Sequence, residues 1–566
     1  MLGKHSKDNP HGLMHDQERT RCYRKRGHWG DATLLDCWNM SVLRYPDKTA
    51  VVDSHGISLT FREADALAAR IGFFLVDRGV TPGDGVSFQL PGWAEFLPIY
   101  IACLKTGAVL NPIPTNLRFN ETRHILSECE SRVLFIPYRY KNYYYAEMAD
   151  RLRALLPKLE TVITVDKFHE GAQKLTLERI LGSSRPLSVE EIGAIHKNRV
   201  HADDLMTILF TSGSEGRSKG AMLTHNNLIA SENVFASHYS ITQHDVMLMP
   251  APVTHATGYL HGVTMPYLVG ATTVLQDEFN AELTLRLIEK YRCTVSMASE
   301  PFLHDMVCVL RHTFYDVSSL RFFLCGGSSV SQVLIEEALI HGIITCNVYG
   351  STESIGHTGV LPAMSLEKRC QTSGIPFPGV EVRVVDKNRQ PVATGVEGEE
   401  ASRGPQVFLG YLNDPELTKK ALDDAGWYYS GDLCVMDESG CIRITGRLKD
   451  VIIRGGENIS SLEVENILLR HPNIREAAVV AMPDQRLTEK ACAYVVLEDP
   501  EQTLLLEELV TFMLGQEIAK HKFPERLELV GELPRTASGK VKKGELRSDV
   551  AEKIAHDEQN TCLIKK

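Results

Sequence analysis

The 566-residue sequence lacks the hydrophobic segments that mark membrane-spanning or exported proteins. No run of about 18 uninterrupted apolar residues occurs, so no transmembrane helix is expected. The first 25 residues are polar and basic and contain no apolar stretch of signal-peptide length. We interpret residues 1–25 as a polar N-terminal arm.

Cysteine pairs at metal-binding spacing are also missing. The 13 cysteines are odd in number and scattered, and no two are separated by only two residues. This distribution argues against a secreted disulfide framework and against a structural zinc site. A reducing compartment, the cytoplasm, is the expected location.

An excess of positive charge is absent as well. The chain has 61 basic and 72 acidic residues, which gives a formal net charge of -11. A net acidic protein does not favour nucleic acid as a partner, so an anionic ligand needs a local basic site. Internal repeats and low-complexity segments are also absent, and the composition is typical of a globular protein.

The order of the segments predicts an α/β fold. Strand-like and helix-like stretches alternate from Ala50 to about Tyr349, which indicates layers of helices on parallel strands. Among them, Thr49–Asp53 is strand-like, and helices are predicted at about Phe61–Asp77 and over Trp93–Lys105. From Val380 onward, short β-like runs separated by turn residues indicate a β-rich subdomain. The expected domains are a large N-terminal domain over 26–446, with its β-rich part at about 380–446, a small α+β C-terminal domain over 447–550, and a charged tail over 551–566.

A glycine- and hydroxyl-rich loop follows the apolar strand Met206–Phe210. Thr211 to Gly220 has the sequence TSGSEGRSKG. Backbone N–H groups, hydroxyls and a lysine in such a loop can surround phosphate oxygens. The glycine and lysine spacing differs from that of a P-loop. Taken alone, the segment fits a flexible surface loop equally well.

Four further motifs follow, and each has an ordinary structural explanation when taken alone. The first offers an aromatic ring for a base, hydroxyls for phosphate and a carboxylate for magnesium; the others have the sequences expected of a tight turn, a linker and a surface loop. They are Tyr349–Glu353 (YGSTE), Tyr429–Leu433 (YSGDL), Gly446–Asp450 (GRLKD) with Arg454–Asn458 (RGGEN), and Pro534–Lys540 (PRTASGK).

In this order and at these intervals, the five motifs resemble the superfamily of adenylate-forming enzymes. That superfamily includes acyl-CoA and aryl-CoA synthetases, peptide-synthetase adenylation domains and beetle luciferases, and the resemblance extends from about Asp47 to Arg547. Several segments are similar to bacterial short- and medium-chain fatty acyl-CoA synthetases of anaerobic β-oxidation. These segments are Gly27–Asp31, Phe88–Trp93, Leu223–Asn227, Met249–Gly262, Glu399–Pro405 and Gly426–Leu433.

The resemblance implies an ATP-dependent acid–CoA ligase. Such an enzyme converts a carboxylic acid to its acyl-AMP with release of pyrophosphate, then transfers the acyl group to CoA, with Mg²⁺ required. The apolar pocket segments favour a short- to medium-chain fatty or alicyclic acid. Two alternatives stay open at this point. One is an enzyme that adenylates an aryl or other acid and loads a carrier protein. The other is a non-catalytic nucleotide-binding module, although such a module should have lost Glu353 or Lys540.

The resemblance also implies a role for individual residues. Tyr349 stacks on adenine, Thr352 contacts the α-phosphate, Glu353 ligates magnesium, and Lys540 is the catalytic lysine of adenylation. His255 matches an aromatic position beside the acid pocket, where a structural role is an equal alternative. The implied ATP and AMP ligands are Thr211, Ser212, Gly213, Ser214, Gly216, Lys219, Gly326, Gly327, Ser328, Tyr349, Gly350, Ser351, Thr352, Asp432 and Arg447. Many relatives carry Thr-Gly at Glu215-Gly216 and proline at Ser218.

The resemblance implies two further regions. Lys449 is the hinge about which the C-terminal domain rotates between the two half-reactions. The segment that then approaches CoA comprises Arg454, Gly455, Gly456, Glu457 and Asn458. The acyl pocket is expected to comprise Met249, Pro252, Tyr259, Phe302, Ile355 and Gly356.

Overall fold

Two large sheets covered by helices dominate the computed structural model, which confirms the α/β class. The structure describes residues 17–165, 175–182, 186–197, 200–211, 218–327, 330–454, 457–484, 487–516, 520–536 and 539–564. No helix within these ranges is long and apolar enough to cross a membrane.

The strands are short, as is usual for a multilayered protein. In chain order they are β1 Thr49–Asp53, β2 Ser58–Thr60, β3 Gly85–Phe88, β4 Val109–Pro112, β5 Val133–Pro137, β6 Arg139–Tyr140, β7 Tyr143–Tyr144, β8 Thr161–Val165, β9 Leu205–Thr211, β10 Lys219–Thr224, β11 Val246–Met249, β12 Thr272–Leu275, β13 Val295–Ala298, β14 Phe322–Gly326, β15 Thr345–Tyr349, β16 Thr358–Gly359, β17 Ile375–Pro376, β18 Glu381–Val385, β19 Gly398–Arg403, β20 Gly410–Tyr411, β21 Tyr428–Met436, β22 Ile442–Arg447, β23 Val451–Arg454, β24 Glu457–Ser460, β25 Ile474–Asp484, β26 Thr488–Leu497 and β27 Arg526–Leu529.

Helices occupy most of the intervals between strands. They are α1 Gln17–Lys25, α2 Leu34–Arg44, α3 Phe61–Asp77, α4 Phe96–Thr106, α5 Phe119–Glu128, α6 Tyr145–Leu155, α7 Leu177–Leu181, α8 Val189–His196, α9 His225–His238, α10 Met265–Val269, α11 Ala281–Tyr291, α12 Glu300–Leu310, α13 Gln332–Ile340, α14 Leu366–Gln371, α15 Pro415–Ala421, α16 Ser461–Leu468, α17 Leu506–Leu514 and α18 Lys543–Ile564. A π-helix over Gly258–Thr264 precedes α10, and 3₁₀ turns lie at Leu448–Asp450 and Lys520–Lys522.

The nine-stranded sheet has the order β17-β16-β15-β14-β13-β11-β12-β1-β2. The six strands from β15 to β1 are all parallel to their neighbours. Their residues are buried on both faces because helices cover both sides. The seven-stranded sheet has the order β20-β10-β9-β4-β3-β5-β8 and is parallel from β9 to β8. The hairpin β9–β10 and the edge strand β20 are antiparallel.

The main hydrophobic core joins both large sheets and their helices. Helix α4 is apolar around nearly its whole circumference, and ten of its eleven residues are buried. A helix of this composition belongs in a protein interior. It packs against α3, whose start is fixed by a capping box between Thr60 and Glu63.

The β-rich region and the C-terminal unit follow the expected textures. Strands β18, β19, β21 and β22 form a four-stranded antiparallel sheet. Strands β23 to β27 form a five-stranded sheet that packs with α16, α17 and α18 around its own core. Ser460 caps α16 by accepting from the Glu463 N–H, as its spacing predicts, while the Glu463 carboxylate accepts from Lys522 Nζ at 2.7 Å.

Helices occupy parts of the segments interpreted as the N-terminal arm and the charged tail. Residues 17–25 of the arm form α1, whose Tyr23 is buried against Trp29. Trp29 Nε1 donates to the Pro405 carbonyl at 3.2 Å, which fixes this segment to the N-terminal domain. At the other end, α18 continues past Ala551 to Ile564.

Candidate active site

The carboxyl ends of neighbouring parallel strands bring the motifs together. Strands β11, β13, β14 and β15 end at Met249, Ala298, Gly326 and Tyr349 respectively. Ala298 lies opposite Cys325, and Gly326 lies opposite Val348, so these ends are level with one another. Ligands of open α/β sheets bind outside the carboxyl ends of the strands. The glycine segment at 326–327 and the YGSTE motif therefore form one edge of the site.

Tyr349, Asp432 and Arg447 form a connected polar group at this edge. Tyr349 Oη donates to Asp432 Oδ2 at 2.8 Å, and Arg447 Nε lies 2.7 Å from Asp432 Oδ1. Asp432 and Arg447 are direct partners across β21 and β22. Burial raises the pKa of Tyr349, with Glu400 and Asp432 adding to the shift, and Asp432 raises the pKa of Arg447.

Asp432 Oδ1 keeps the capacity to accept a hydrogen bond. It is buried and ion-paired with Arg447, but it makes no hydrogen bond within the described residues. A carboxylate oxygen with this capacity, beside a buried aromatic ring, fits a ligand hydroxyl such as that of a ribose.

Glu353 is held by Tyr411, a residue that the motifs do not include. Tyr411 Oη donates to Glu353 Oε1 at 2.8 Å, and Glu353 is 8% exposed. Tyr411 lies opposite Ala221 in the strand pair β10–β20, and Lys219 Nζ lies 5.8 Å from its ring centre. Tyr411 therefore links the exit of the phosphate loop to the YGSTE motif.

The donor set fits a single magnesium ion bound together with a nucleotide. No group of three or more acidic, histidine or cysteine side chains in the described ranges could hold a metal by itself. Magnesium commonly takes one or two carboxylates and draws its other ligands from phosphates and water. Glu353 supplies one such carboxylate.

The YGSTE loop doubles back on itself. A Cβ built on Gly350 would lie 2.6 Å from Gly356 Cα, so only glycine permits this approach. The Ser351 N–H donates to the Ser354 carbonyl at 2.9 Å, and Ser351 Oγ accepts from the Ser354 N–H at 3.1 Å. Thr352, at the turn, is half-buried.

Lys540 reaches into the site from the C-terminal unit. A Cβ built on Gly327 would lie 3.2 Å from Lys540 Cε, so the lysine stem passes directly over the end of β14. Burial and the charge of Arg447 lower the pKa of Lys540, while Asp432 and Glu353 oppose the shift. Burial and the nearby Lys540 lower the pKa of His255 to about 4. The lysine expected to be catalytic thus lies among the residues expected to hold the nucleotide.

The C-terminal and N-terminal parts face each other across a large cleft. It has a volume of about 2770 Å³, and Tyr349, Asp432, Arg447, Lys449 and Lys540 all contribute to its walls. Its size allows a nucleotide and a second substrate to enter together.

The hinge and CoA-side positions are only partly brought to this site. Lys449 lies in the 3₁₀ turn Leu448–Asp450, which is anchored by an Asp450–Arg547 ion pair of 2.8 Å. The Arg454 guanidinium pairs with Glu525 at 2.8 Å, within the C-terminal unit. Glu457 and Asn458 begin β24. Gly455 and Gly456 lie outside the described residues, as do Ser212, Gly213, Ser214, Glu215, Gly216 and Ser328.

Several positions expected to form the acyl pocket are buried in the main core. Met249 packs beside Gly262, the Phe302 ring lies 4.4 Å from the Phe279 ring with the planes tilted by 53°, and Ile355 is buried. Tyr259 is also buried: its ring lies 5.3 Å from that of Tyr100, and its hydroxyl lies 4.0 Å from Met206 Sδ. Pro252 precedes the π-helix in the chain, and its carbonyl oxygen lies 2.3 Å from a Cβ built on Gly258, the first residue of that helix.

Two buried pairs near these positions were not identified from the sequence. His261 Nδ1 lies 2.8 Å from Glu232 Oε2, and His357 Nε2 lies 3.2 Å from Glu400 Oε1. Glu400 also accepts from Tyr349 Oη at 3.4 Å. A polar residue inside an apolar run was the available signal for His261, but its partner Glu232 is 29 positions away.

Comparison with known proteins decides the family. A family model of AMP-binding enzymes matches residues 38–412, and a model of the AMP-binding enzyme C-terminal domain matches residues 463–540. The chain belongs to the AMP-binding enzyme family. This AMP-binding enzyme is 46% identical to a medium-chain fatty-acid–CoA ligase of Escherichia coli, over 96% of this chain and 95% of the relative.

Other relatives of this AMP-binding enzyme have different acids in their names. A feruloyl-CoA synthase of Amycolatopsis is 32% identical over 91% of this chain and 98% of its own length. The anthranilate CoA ligase AuaEII, solved with anthranoyl-AMP, superposes with a TM-score of 0.84 at 24% identity, over 93% of this chain and 98% of that structure. This last likeness shows the fold: a large N-terminal domain followed by a small C-terminal one.

Proposed function

We propose that this enzyme is an AMP-forming ligase that joins medium-chain fatty acids to CoA at the expense of ATP. The observation that carries the proposal is the insertion of Lys540 beside Asp432, Arg447 and Glu353, in a chain 46% identical to a medium-chain fatty-acid–CoA ligase. The substrates are ATP, CoA and a carboxylic acid, and Mg²⁺ is the required metal ion.

The first half-reaction brings two anions together. A carboxylate oxygen attacks the α-phosphorus of ATP, and the bond to the β-phosphate oxygen breaks, which releases pyrophosphate and leaves acyl-AMP. Catalysis of this step depends on alignment and on positive charge directed at the transferring phosphoryl group. Lys540 and Arg447 provide such charge from the protein, and Glu353 holds the magnesium ion, which when bound neutralises the phosphate oxygens.

Nucleotide recognition in this proposal uses the polar group already described. Tyr349 offers its ring to adenine, and Asp432 offers Oδ1 to the ribose. Thr352 and the phosphate-loop residues Thr211 and Lys219 contact phosphate oxygens. In this proposal His255 borders the acid pocket, and its lowered pKa keeps it neutral.

The second half-reaction requires Lys540 to leave. The CoA thiolate attacks the carbonyl carbon of acyl-AMP, the bond to the phosphate oxygen breaks, and AMP departs. We propose rotation of the C-terminal unit that follows Lys449, which withdraws Lys540 and brings the segment Arg454–Asn458 toward the thiol. Glycines at 455 and 456 suit a close approach of backbone to ligand.

We also propose that the enzyme works in the cytoplasm. The cysteines whose side chains the structure describes are all free thiols, and eight of them are buried. This state suits a reducing compartment. Fractionation of cells with an antibody to the protein tests the location.

A substrate panel tests the reaction. Pyrophosphate release and acyl-CoA formation are measured with short-, medium- and long-chain fatty acids, alicyclic acids, ferulate and amino acids, with free CoA or a carrier protein as acceptor. The proposal expects the highest kcat/KM for a medium-chain acid and for free CoA. A preference for an aryl acid or for the carrier protein contradicts it.

A further inference from the structure

A histidine–glutamate pair lies beside the expected acyl pocket and takes no part in the chemistry above. His261 Nδ1 is 2.8 Å from Glu232 Oε2, and the two side chains are 5% and 0% exposed. Ser231 Oγ donates to the other Glu232 oxygen at 3.2 Å. The imidazole also stacks on Phe235, with ring centres 4.1 Å apart and planes 18° from parallel. One edge and one face of the ring are therefore fixed.

The free edge of the ring faces Gly356, one of the positions expected to line the acyl pocket. His261 Nε2 has no hydrogen-bond partner within the described residues. A Cβ built on Gly356 would lie 3.6 Å from this nitrogen and 3.5 Å from Val348 Cγ1. Gly356 directly follows the buried Ile355, and Met249 packs beside Gly262, the residue after His261. Nε2 is thus a polar atom in a mostly apolar wall.

The backbone holds this arrangement rigidly. His261 lies in the π-helix Gly258–Thr264, all of whose residues are buried. A Cβ built on Gly258 would lie 2.3 Å from the Pro252 carbonyl oxygen, and one on Gly262 would lie 2.5 Å from Met249 Cγ. Isolated π-helical turns are uncommon and frequently occur at functional sites.

A polar atom that becomes buried without a hydrogen-bond partner costs free energy. A plain alkyl chain over Nε2 would leave this nitrogen without a partner. The hydrogen-bonding capacity of the imidazole determines which substrate group can pair with it. Neutral imidazole donates from Nδ1 to Glu232 and accepts at Nε2, whereas imidazolium donates from both nitrogens. A hydroxyl group can donate and accept, so it pairs with Nε2 in either state.

We propose that His261 is a specificity-determining residue that binds a hydroxyl group on the acyl chain, and that Glu232 is its positioning residue. This rests on the proposed ligase function and deepens it: the substrate class extends to hydroxylated aliphatic acids. A hydroxyl group on the acyl-chain carbon nearest Gly356 fits this geometry, whereas hydroxyl groups on other carbons would contact apolar side chains.

Matched acids test the proposal with the full-length enzyme. Each saturated medium-chain acid is compared with its derivatives that carry one hydroxyl group, moved along the chain carbon by carbon. The quantity measured is the ratio of kcat/KM for the hydroxylated acid to kcat/KM for the parent acid. In the unmodified enzyme the ratio should exceed one at a single hydroxyl position.

The His261→Phe variant keeps the stacking on Phe235 but removes Nε2. It should lower that ratio about 10- to 100-fold, as expected for one buried hydrogen bond, while the parent acid keeps or improves its kcat/KM. His261→Gln restores a group that donates and accepts, and should recover part of the ratio. Glu232→Gln should lower the ratio without impairing the parent acid.

The His261→Phe variant could lose activity because it fails to fold, so a double variant is measured beside it. Glu232→Leu with His261→Phe removes both polar groups together, and exchange of a buried pair for apolar residues is often tolerated. Circular dichroism and thermal unfolding check both proteins.

Two results overturn the proposal. The first is equal use of hydroxylated and parent acids at every position. The second is a His261→Phe enzyme that accepts longer fatty acids while the ratio of kcat/KM for hydroxylated and parent acids stays unchanged. In that case His261 would limit the length of the acyl chain and would not bind a hydroxyl group. Failure of the ligase function gives a different result, since the unmodified enzyme would then release no pyrophosphate with any aliphatic acid.

Discussion

Tyr411 donates a hydrogen bond of 2.8 Å to Glu353, across 58 positions of sequence. The bond joins the strand pair that follows the phosphate loop to the carboxylate proposed to bind magnesium. A carboxylate that must hold a cation needs its direction fixed, and partners of ligating residues commonly do this.

Tyr411→Phe should therefore weaken magnesium use. A hydrogen bond to a charged group contributes roughly 1.5–3 kcal/mol, so the half-saturating magnesium concentration for pyrophosphate release should rise about tenfold or more. Glu353→Gln should have a larger effect, because an amide is a poorer ligand for a hard cation. Tyr140→Phe is the matched control, since Tyr140 donates to the Asp277 carbonyl instead. Identical magnesium dependence in Tyr411→Phe and Tyr140→Phe would refute the role of Tyr411.

Lys540→Ala should abolish most of the first half-reaction and spare the second. The lysine lies among Asp432, Glu353 and Arg447 in this structure, and its charge is needed while the carboxylate meets the α-phosphate. Removal of such a preorganised charge costs on the order of 100- to 1000-fold in rate. Synthetic acyl-AMP and CoA isolate the second step. An equal loss of rate in thioester formation would contradict the assignment of Lys540 to the first half-reaction alone.

The pH dependence of adenylation should reflect the lowered pKa of Lys540. The ammonium form is the active one, so the rate should fall as pH rises through that pKa, earlier than for an ordinary lysine. Lys540→Arg retains its charge to higher pH and should therefore move the decline to higher pH, whatever its maximal rate. His255 has a pKa of about 4 and is neutral above it, so His255→Phe should leave the profile from about pH 5.5 to 8 unchanged. Loss of an inflection near neutral pH in His255→Phe would contradict that assignment.

Gly539→Ala should impair adenylation selectively. Gly539 has φ +85°, and a Cβ there would lie 2.7 Å from Ser299 Oγ at the end of β13. The side chain would add roughly 1–3 kcal/mol of backbone strain and obstruct the docking of the loop that carries Lys540. Gly531→Ala is the control, because no atom lies within 4 Å of its Cβ position and its φ is not positive. Equal adenylation rates in Gly539→Ala and Gly531→Ala would show that the close approach of Gly539 to Ser299 is unimportant.

Much of the fold follows from local patterns in the sequence. The strand Thr49–Asp53 and the helix Phe61–Asp77 have the predicted bounds, since a capping box and a clear change of periodicity mark their junction. The helix predicted over Trp93–Lys105 is Phe96–Thr106 instead. Trp93 lies outside it, with Nε1 3.3 Å from Asp277 Oδ2, a contact that no local pattern reveals.

The site was predictable only where its residues belong to motifs. Tyr349, Asp432, Arg447 and Lys540 lie in such motifs, and the structure brings them together. Tyr411 and the His261–Glu232 pair depend on which strands and helices are neighbours in space, and periodicity does not specify that. The pocket role of Tyr259 stays a prediction, because buried apolar neighbours fit a pocket and a core equally well.

The last prediction concerns Lys449, where the proposed rotation begins. It lies in the 3₁₀ turn Leu448–Asp450, and φ in such a turn is close to the value that proline imposes. Lys449→Pro therefore fits the present arrangement, in which Lys540 is inserted, and resists the change of φ that a hinge needs. Adenylation should persist, and thioester formation from acyl-AMP should fall.

The Lys449→Ala variant separates the two possible causes. It removes the charge but leaves φ free, so it should retain both half-reactions if Lys449 acts as a hinge. Parallel losses in Lys449→Ala and Lys449→Pro would instead assign the effect to the ammonium group. Circular dichroism confirms that the C-terminal unit is folded in each protein. Two equally active half-reactions in a folded Lys449→Pro enzyme would exclude rotation about this residue, because proline cannot follow the φ change that the rotation requires.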